Sequence, residues 1–166
     1  MKNFGKIIAG IGVVSLALVN GARDAQSLTA STTASASATI NTVFTISLDT
    51  STVPFGTVEP GSTSALAVVA TCKTNAGNVW YLKVKYGASQ TDTTLNFKSS
   101  GGAGTNDTTY GAFTTTDQTT YTSTAGEGNN LAGGTAITVD HQLVVAAAGA
   151  PGAKSWTVTY TFTETV

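Results

Sequence analysis

The stretch Ala34-Ser-Ala-Ser-Ala-Thr-Ile-Asn-Thr-Val-Phe-Thr-Ile-Ser-Leu48 keeps one alternating phase from end to end. Ala34, Ala36, Ala38, Ile40, Thr42, Phe44, Ile46 and Leu48 share that phase, and of the intervening residues only Val43 is apolar. Side chains two apart lie on one face of a strand, so the segment reads as a long, half-buried β-strand. Fifteen extended residues reach about 50 Å, whereas ordinary strands run about 3–10 residues. A small sandwich cannot use all of it, and the surplus at its N-terminal end is free to pair with another molecule.

Working toward the C-terminus, further short strands with turn signals between them follow. Val53–Val58 is a short strand demoted by Pro54 to an edge or a bend, and Glu59-Pro-Gly-Ser62 is a turn. Ala65–Lys73 alternates again. In Asn78–Tyr86, Trp80, Leu82, Val84 and Tyr86 face one way, and Tyr81, Lys83 and Lys85 the other, which suits an edge or a solvent-exposed strand. Gly87–Asn130 is weakly patterned, with short strands expected over 94–98, 110–116 and 120–124 and loops at Gly101–Gly104 and 126–130. Ala136–Val145 is a firm strand. The chain closes on Ser155–Val166, with Trp156, Val158, Tyr160 and Phe162 facing in. With no helical period beyond the N-terminal segment, the fold class is all-β: a single Ig-like or jelly-roll β-sandwich with a protruding N-terminal strand. The two Trp strands are its expected core.

Toward the N-terminus, Lys2 and Lys6, the apolar run Ile7–Val19 and the small residues up to Gly21 read as a signal peptide over 1–21. Residues 22–41 then form the extended arm, and 42–166 the sandwich. Taking Lys2 and Lys6 from eight basic residues leaves six against nine acidic ones. That mildly acidic, charge-poor surface excludes the clustered Lys and Arg that nucleic-acid binding rests on. Charged residues make up 10% of the chain against the usual ~25%, and Thr alone supplies about a fifth. The exterior is therefore neutral and hydroxyl-rich, as expected outside a cell.

Chemical motifs are sparse. Cys72 is the only cysteine, so no intramolecular disulfide forms, and its phase with Leu66, Val68 and Ala70 makes it a small core residue. His141, the only histidine, shares its phase with Ile137, Val139, Leu143 and Val145 and reads as a core or strand-end residue. No nucleophile elbow, paired carboxylates, zinc spacing or calcium loop is present, so no catalytic residue, cofactor or metal is expected. Asn106-Asp-Thr108 is an N-glycosylation sequon in a Gly-rich loop. Tyr81, Tyr110 and Tyr121 are candidates for a sugar-binding face, with cross-strand packing as the plainer reading.

The segment Val53-Pro-Phe-Gly-Thr-Val-Glu-Pro-Gly61, the strand around Cys72, and the ending Ala150-Pro-Gly-Ala-Lys-Ser-Trp-Thr-Val-Thr-Tyr-Thr-Phe-Thr163 resemble spore coat protein U-type secreted pilin domains. The overall plan is also similar to the donor-strand filament subunits of prokaryotes, the TasA-like and archaeal bundling-pilin group. Domains of the first kind usually carry a second Cys to pair with the one equivalent to Cys72, and this chain has none. Either resemblance implies a sandwich lacking a strand, filled by an extended segment of a neighbouring subunit through β-augmentation. Ala34, Ala36, Ala38, Ile40, Thr42 and Phe44 would be the plugs, although Phe44, Ile46 and Leu48 also suit the home sandwich. The expectation is a secreted, non-enzymatic subunit of an extracellular filament, pilus or surface coat. Its partners would be copies of itself, with glycans or neighbouring cells as further candidates and the membrane met only during export. The alternative is a secreted monomeric carbohydrate-binding or adhesin domain.

Overall fold

The computed structural model describes residues 32–129 and 131–165; the expected signal peptide and the first part of the arm lie outside them. Nine strands are present among the described residues, and no helix: β1 (Phe44–Leu48), β2 (Thr63–Thr74), β3 (Tyr81–Tyr86), β4 (Thr93–Gly101), β5 (Thr105–Asn106), β6 (Gly111–Ala112), β7 (Gln118–Thr122), β8 (Thr135–Val145) and β9 (Val158–Thr163). They form two antiparallel sheets, one ordered β1-β2-β8-β4-β6 and the other β5-β7-β3-β9. From β2 onward the chain changes sheet at every strand, so the two inner faces are built alternately. The expected all-β sandwich is what the chain forms.

Strict alternation drives the long strands. In β2, Val68, Ala70, Cys72 and Thr74 are buried, and in β8, Ile137, Val139, His141 and Leu143 are buried. Ten consecutive residues pair between these strands, from Thr63 opposite Val144 to Cys72 opposite Thr135. A one-residue slip would turn every apolar side chain to solvent, so the pattern fixes the register. The core is aromatic where the sheets meet. Trp80 packs on Tyr121 (5.2 Å between centroids) and edge-on to Phe162 (5.0 Å), while Phe97 packs on Phe113 (4.7 Å). Such pairs contribute about 0.5–1.5 kcal/mol each beyond their buried area.

Four sequence expectations are corrected. The Ala34–Leu48 alternation becomes a strand only over β1; residues 32–43 carry no strand and are exposed. Phe44–Leu48 have β2 to pair with, from Thr74 to Ala70, and a strand without a partner has no ladder to satisfy its backbone. Val53–Val58 is not a strand either, because Pro54 and the left-handed Gly56 (φ 70°) break the extended run. Of the two Trp strands, only Trp80 is core, at 0% exposed; Trp156 precedes β9 and is half-buried. β3 is flanked by β7 and β9, so Lys83 and Lys85 mark its outer face and not a sheet edge.

Candidate functional site

The sandwich has two unlike ends. The chain enters it at Thr39–Val43, beside the β2 end at Thr74. There the Asn75 side chain acts as a clamp: its Nδ2 donates to the Asn41 carbonyl (2.9 Å), and its Oδ1 accepts from the Val43 amide (2.7 Å). A side-chain amide has the donor–acceptor geometry of a backbone unit, so Asn75 extends the β1–β2 ladder by one step and holds the chain extended. In the sequence, Asn75-Ala-Gly77 has only the composition of a turn between two alternating strands, and nothing there signals the clamp.

At the opposite end, beside the β2 start at Thr63, a cleft of about 1080 Å³ opens between the sheets. Its floor is the inner face of the five-stranded sheet, with Val68, Leu95, His141, Leu143 and Val145. One wall is the irregular segment 50–60; the other is residues 149–156 with Val158 and Tyr160 of β9. Between Thr52 and Glu59 the first wall makes no backbone hydrogen bond to a strand, and it rests on the half-buried side chains Val53, Phe55 and Val58. The second wall is tied by Asp92, whose carbonyl accepts from the Ala146 amide (2.8 Å) and whose carboxylate accepts from the Ala150 amide (3.4 Å). Leu48 and Leu66 belong to the inner face by register, opposite Ala70 and His141, yet remain 39% and 36% exposed. That is the signature of an inner face left uncovered.

His141 lies at the inner limit of the cleft. Its Nε2 is 2.8 Å from the Tyr160 hydroxyl, and its ring stacks on Phe113 at 5.6 Å. Burial lowers its pKa and keeps the imidazole neutral, while burial pushes the Tyr160 phenol up. Nδ1 has no hydrogen-bond partner among the described residues. The His141–Tyr160 pair joins β8 to β9 across the sandwich. No group of three His, Cys, Asp or Glu side chains able to hold a metal occurs among the described residues. Cys72 is fully buried, and burial pushes its thiol up to about 12, as befits an inert core residue.

The other sequence candidates are spread out. Ala34, Ala36, Ala38, Ile40 and Thr42 are exposed and outside any strand, Ile40 at 85%. Phe44 lies in β1 and packs on Phe162 of its own chain (4.7 Å). Asn106 is half-buried in β5, and the amide nitrogen that a glycan would modify donates to the Gly101 carbonyl (2.7 Å). The three tyrosines do not share a face. Tyr121 is fully buried, Tyr81 half-buried on the outer face of β3, and Tyr110 lies under Lys98 (4.7 Å).

Sequence reasoning missed Glu127, the centre of the network that closes the arm end. Its carboxylate accepts from the Tyr121 hydroxyl (2.5 Å) and the amides of Ala103 (2.7 Å) and Thr124 (3.0 Å). Its carbonyl accepts from Trp80 Nε1 (2.7 Å). Burial raises the Glu127 pKa, but these hydrogen bonds outweigh it and hold the carboxyl below its ordinary range. Tyr121 is pushed up to about 12 by burial and by this acceptor. No family model, curated protein or solved structure matches the chain.

Proposed function

We propose that this chain is an exported structural subunit of an extracellular filament or surface coat, joined head to tail through its N-terminal arm. What carries the reading is a pairing of features at opposite ends of one sandwich. An alternating arm leads into one end, and an uncovered cleft between the sheets opens at the other. Ala25–Leu48 contains no charged residue, so the arm enters an apolar groove without the cost of burying an unpaired charge. Because donor and acceptor are different surfaces, the contact is heterologous and propagates unless its rotation closes a ring. Main-chain hydrogen bonds give affinity, and alternate side chains fill the groove. This is the mode implied by the resemblance to donor-strand filament subunits.

The test is negative-stain microscopy of the chain from Ala22 onward, with and without Ser31–Thr39. Fibres from the first and a folded, dispersed second protein are expected; fibres from both would sink the reading. A second reading draws on the cleft itself, whose volume is at the upper end of small-molecule pockets and whose wall includes Trp156. A secreted glycan-binding domain would be monomeric and would lose glycan-array binding on Trp156→Ala.

A further inference from the structure

We infer that the acceptor for the arm is the free edge of β9, and that its occupant is residues 34–42 of a second copy, completing the four-stranded sheet over the cleft floor. The inference rests on the filament reading and adds where the arm docks.

Among the described residues β9 pairs only with β3 and is the last strand of its sheet. The Gly87 amide donates to the Thr157 carbonyl (2.9 Å), so Thr157 turns its backbone groups toward β3. Antiparallel pairing alternates, so Thr159, Thr161 and Thr163 bond to β3, and Val158, Tyr160 and Phe162 turn their N–H and C=O groups outward. None of those outward groups has a hydrogen-bond partner among the described residues. The same three residues are apolar or aromatic, face the sandwich interior, and are only half-buried. The edge therefore offers a ladder and an incompletely covered core face at once.

A second unpaired stretch exists on β2. The Asp49 amide donates to the Val69 carbonyl (3.0 Å), so by the same alternation Thr63, Ala65 and Ala67 also turn outward, without a partner among the described residues. A strand added there would lie in the plane of the five-stranded sheet, beside the floor. A strand added to β9 lies in the opposite sheet, above the floor, where it covers inner-face residues. Filling the cleft favours β9.

The arm fits that edge in length and chemistry. Nine extended residues, Ala34–Thr42, reach about 30 Å, against about 20 Å for the six of β9. With the Ala phase turned to the floor, Ile40 is the single large plug, and Ser35, Ser37, Thr39 and Asn41 share the outer face with Thr159 and Thr161. The chain's own arm is an unsuitable occupant. It would have to reverse at Asn41–Thr42, where Asn75 holds the backbone extended, and 34–43 contains no Gly or Pro to make the turn.

Disulfide trapping between full-length variants decides the matter, since Cys72 is buried and does not compete. Arm variants Ser35→Cys, Ser37→Cys and Thr39→Cys are each mixed with acceptor variants Thr159→Cys, Thr161→Cys, Ala65→Cys or Ala67→Cys, and oxidised mildly. Cross-linking has narrow geometric limits, so at least one arm–β9 pair should form dimers at about tenfold or more the yield of any arm–β2 pair. Fibres whose arms cross-link to β2, or to neither edge, overturn the site and leave the filament reading standing. No association at all overturns both. A monomeric disulfide in the single-chain double variant Ser37→Cys/Thr161→Cys, without intermolecular product, also overturns it. Val158→Pro gives a second readout, removing an outward N–H while sparing the β3 ladder. A folded Val158→Pro protein should show at least about a tenfold rise in the concentration needed for fibres; unchanged assembly overturns the inference.

Discussion

At the arm end of the sandwich, Trp80 and Tyr121 are fully buried, and Glu127 gathers a phenol and two backbone amides from separate segments. At the cleft end, inward-facing Leu48 and Leu66 stay more than a third exposed, and the covering segment 50–60 makes few backbone hydrogen bonds. One end is finished and the other is unfinished, although the same strands run through both. β8, eleven residues long, meets a β9 of six across the sandwich at His141 and Tyr160, and the shorter strand covers only part of the longer one. Substitutions matched between the two ends therefore test whether the asymmetry is energetic as well as geometric.

The largest contrast is expected between the two tryptophans. Trp80→Ala should cost about 3–5 kcal/mol, since it empties a fully buried site and strands the Glu127 carbonyl that its indole satisfied. Trp156→Ala, at the half-buried cleft wall, should cost less than half as much. Urea unfolding of both variants measures the difference, and equal losses would mean that the cleft end is as tightly packed as the other.

Glycines give the next contrast. A Cβ on Gly104 would collide with the Thr122 carbonyl, and one on Gly102 with the Tyr121 hydroxyl, so both Ala variants should lose at least about 2 kcal/mol. Gly56, in the cleft wall, has a left-handed φ of 70° but open space around its Cα. Gly56→Ala should cost only the conformational strain, about 1–2 kcal/mol. Thermal melts that rank Gly56→Ala as the worst of the three would contradict the asymmetry.

Acid separates the two ends by pH. The folded His141 pKa lies below 6.5, so the unfolded chain binds the extra proton first, and stability falls as pH drops from about 6.5 toward the folded value. The folded Glu127 pKa lies below 4.5, so its contribution is intact above that value and lost as pH falls through the folded pKa. Stability measured from pH 7 to pH 3 should therefore decline in two stages, at the cleft floor first. His141→Phe should flatten the upper stage and Glu127→Gln the lower one; a profile unaffected by either variant would detach the titrations from these residues.

Sequence legibility follows the same division. β2 and β8 were readable because each is long, alternates cleanly and has one face buried. Tyr121 was misread as outward because β7 carries a bulge: its pairing with β3 slips between Leu82 and Lys83, leaving Thr120 extra and turning both Thr120 and Tyr121 inward. Glu127 looked like an ordinary loop acid, because its partners come from 103, 121 and 124, and no local spacing records that convergence. Alternation over 34–43 promised a strand but says nothing of whose edge it pairs with. Cys72, by contrast, was placed by phase alone, and it is buried.

The smallest expected effect on stability is the most informative about the cleft. Leu66 faces inward by register but is 36% exposed, so Leu66→Thr removes less buried area in the isolated domain than the same change at a closed core site such as Leu82. Its cost there should be about 1 kcal/mol, because part of the side chain is already in solvent and threonine keeps the strand preference. In a filament the same position would sit beneath an added strand, where a hydroxyl without a partner costs about 1–3 kcal/mol. Leu66→Thr should thus lower the melting temperature of dispersed protein only slightly while raising the concentration needed for assembly. A variant that melts far below the parent would show Leu66 already covered in the single chain, and the two ends would be less different than their exposures indicate.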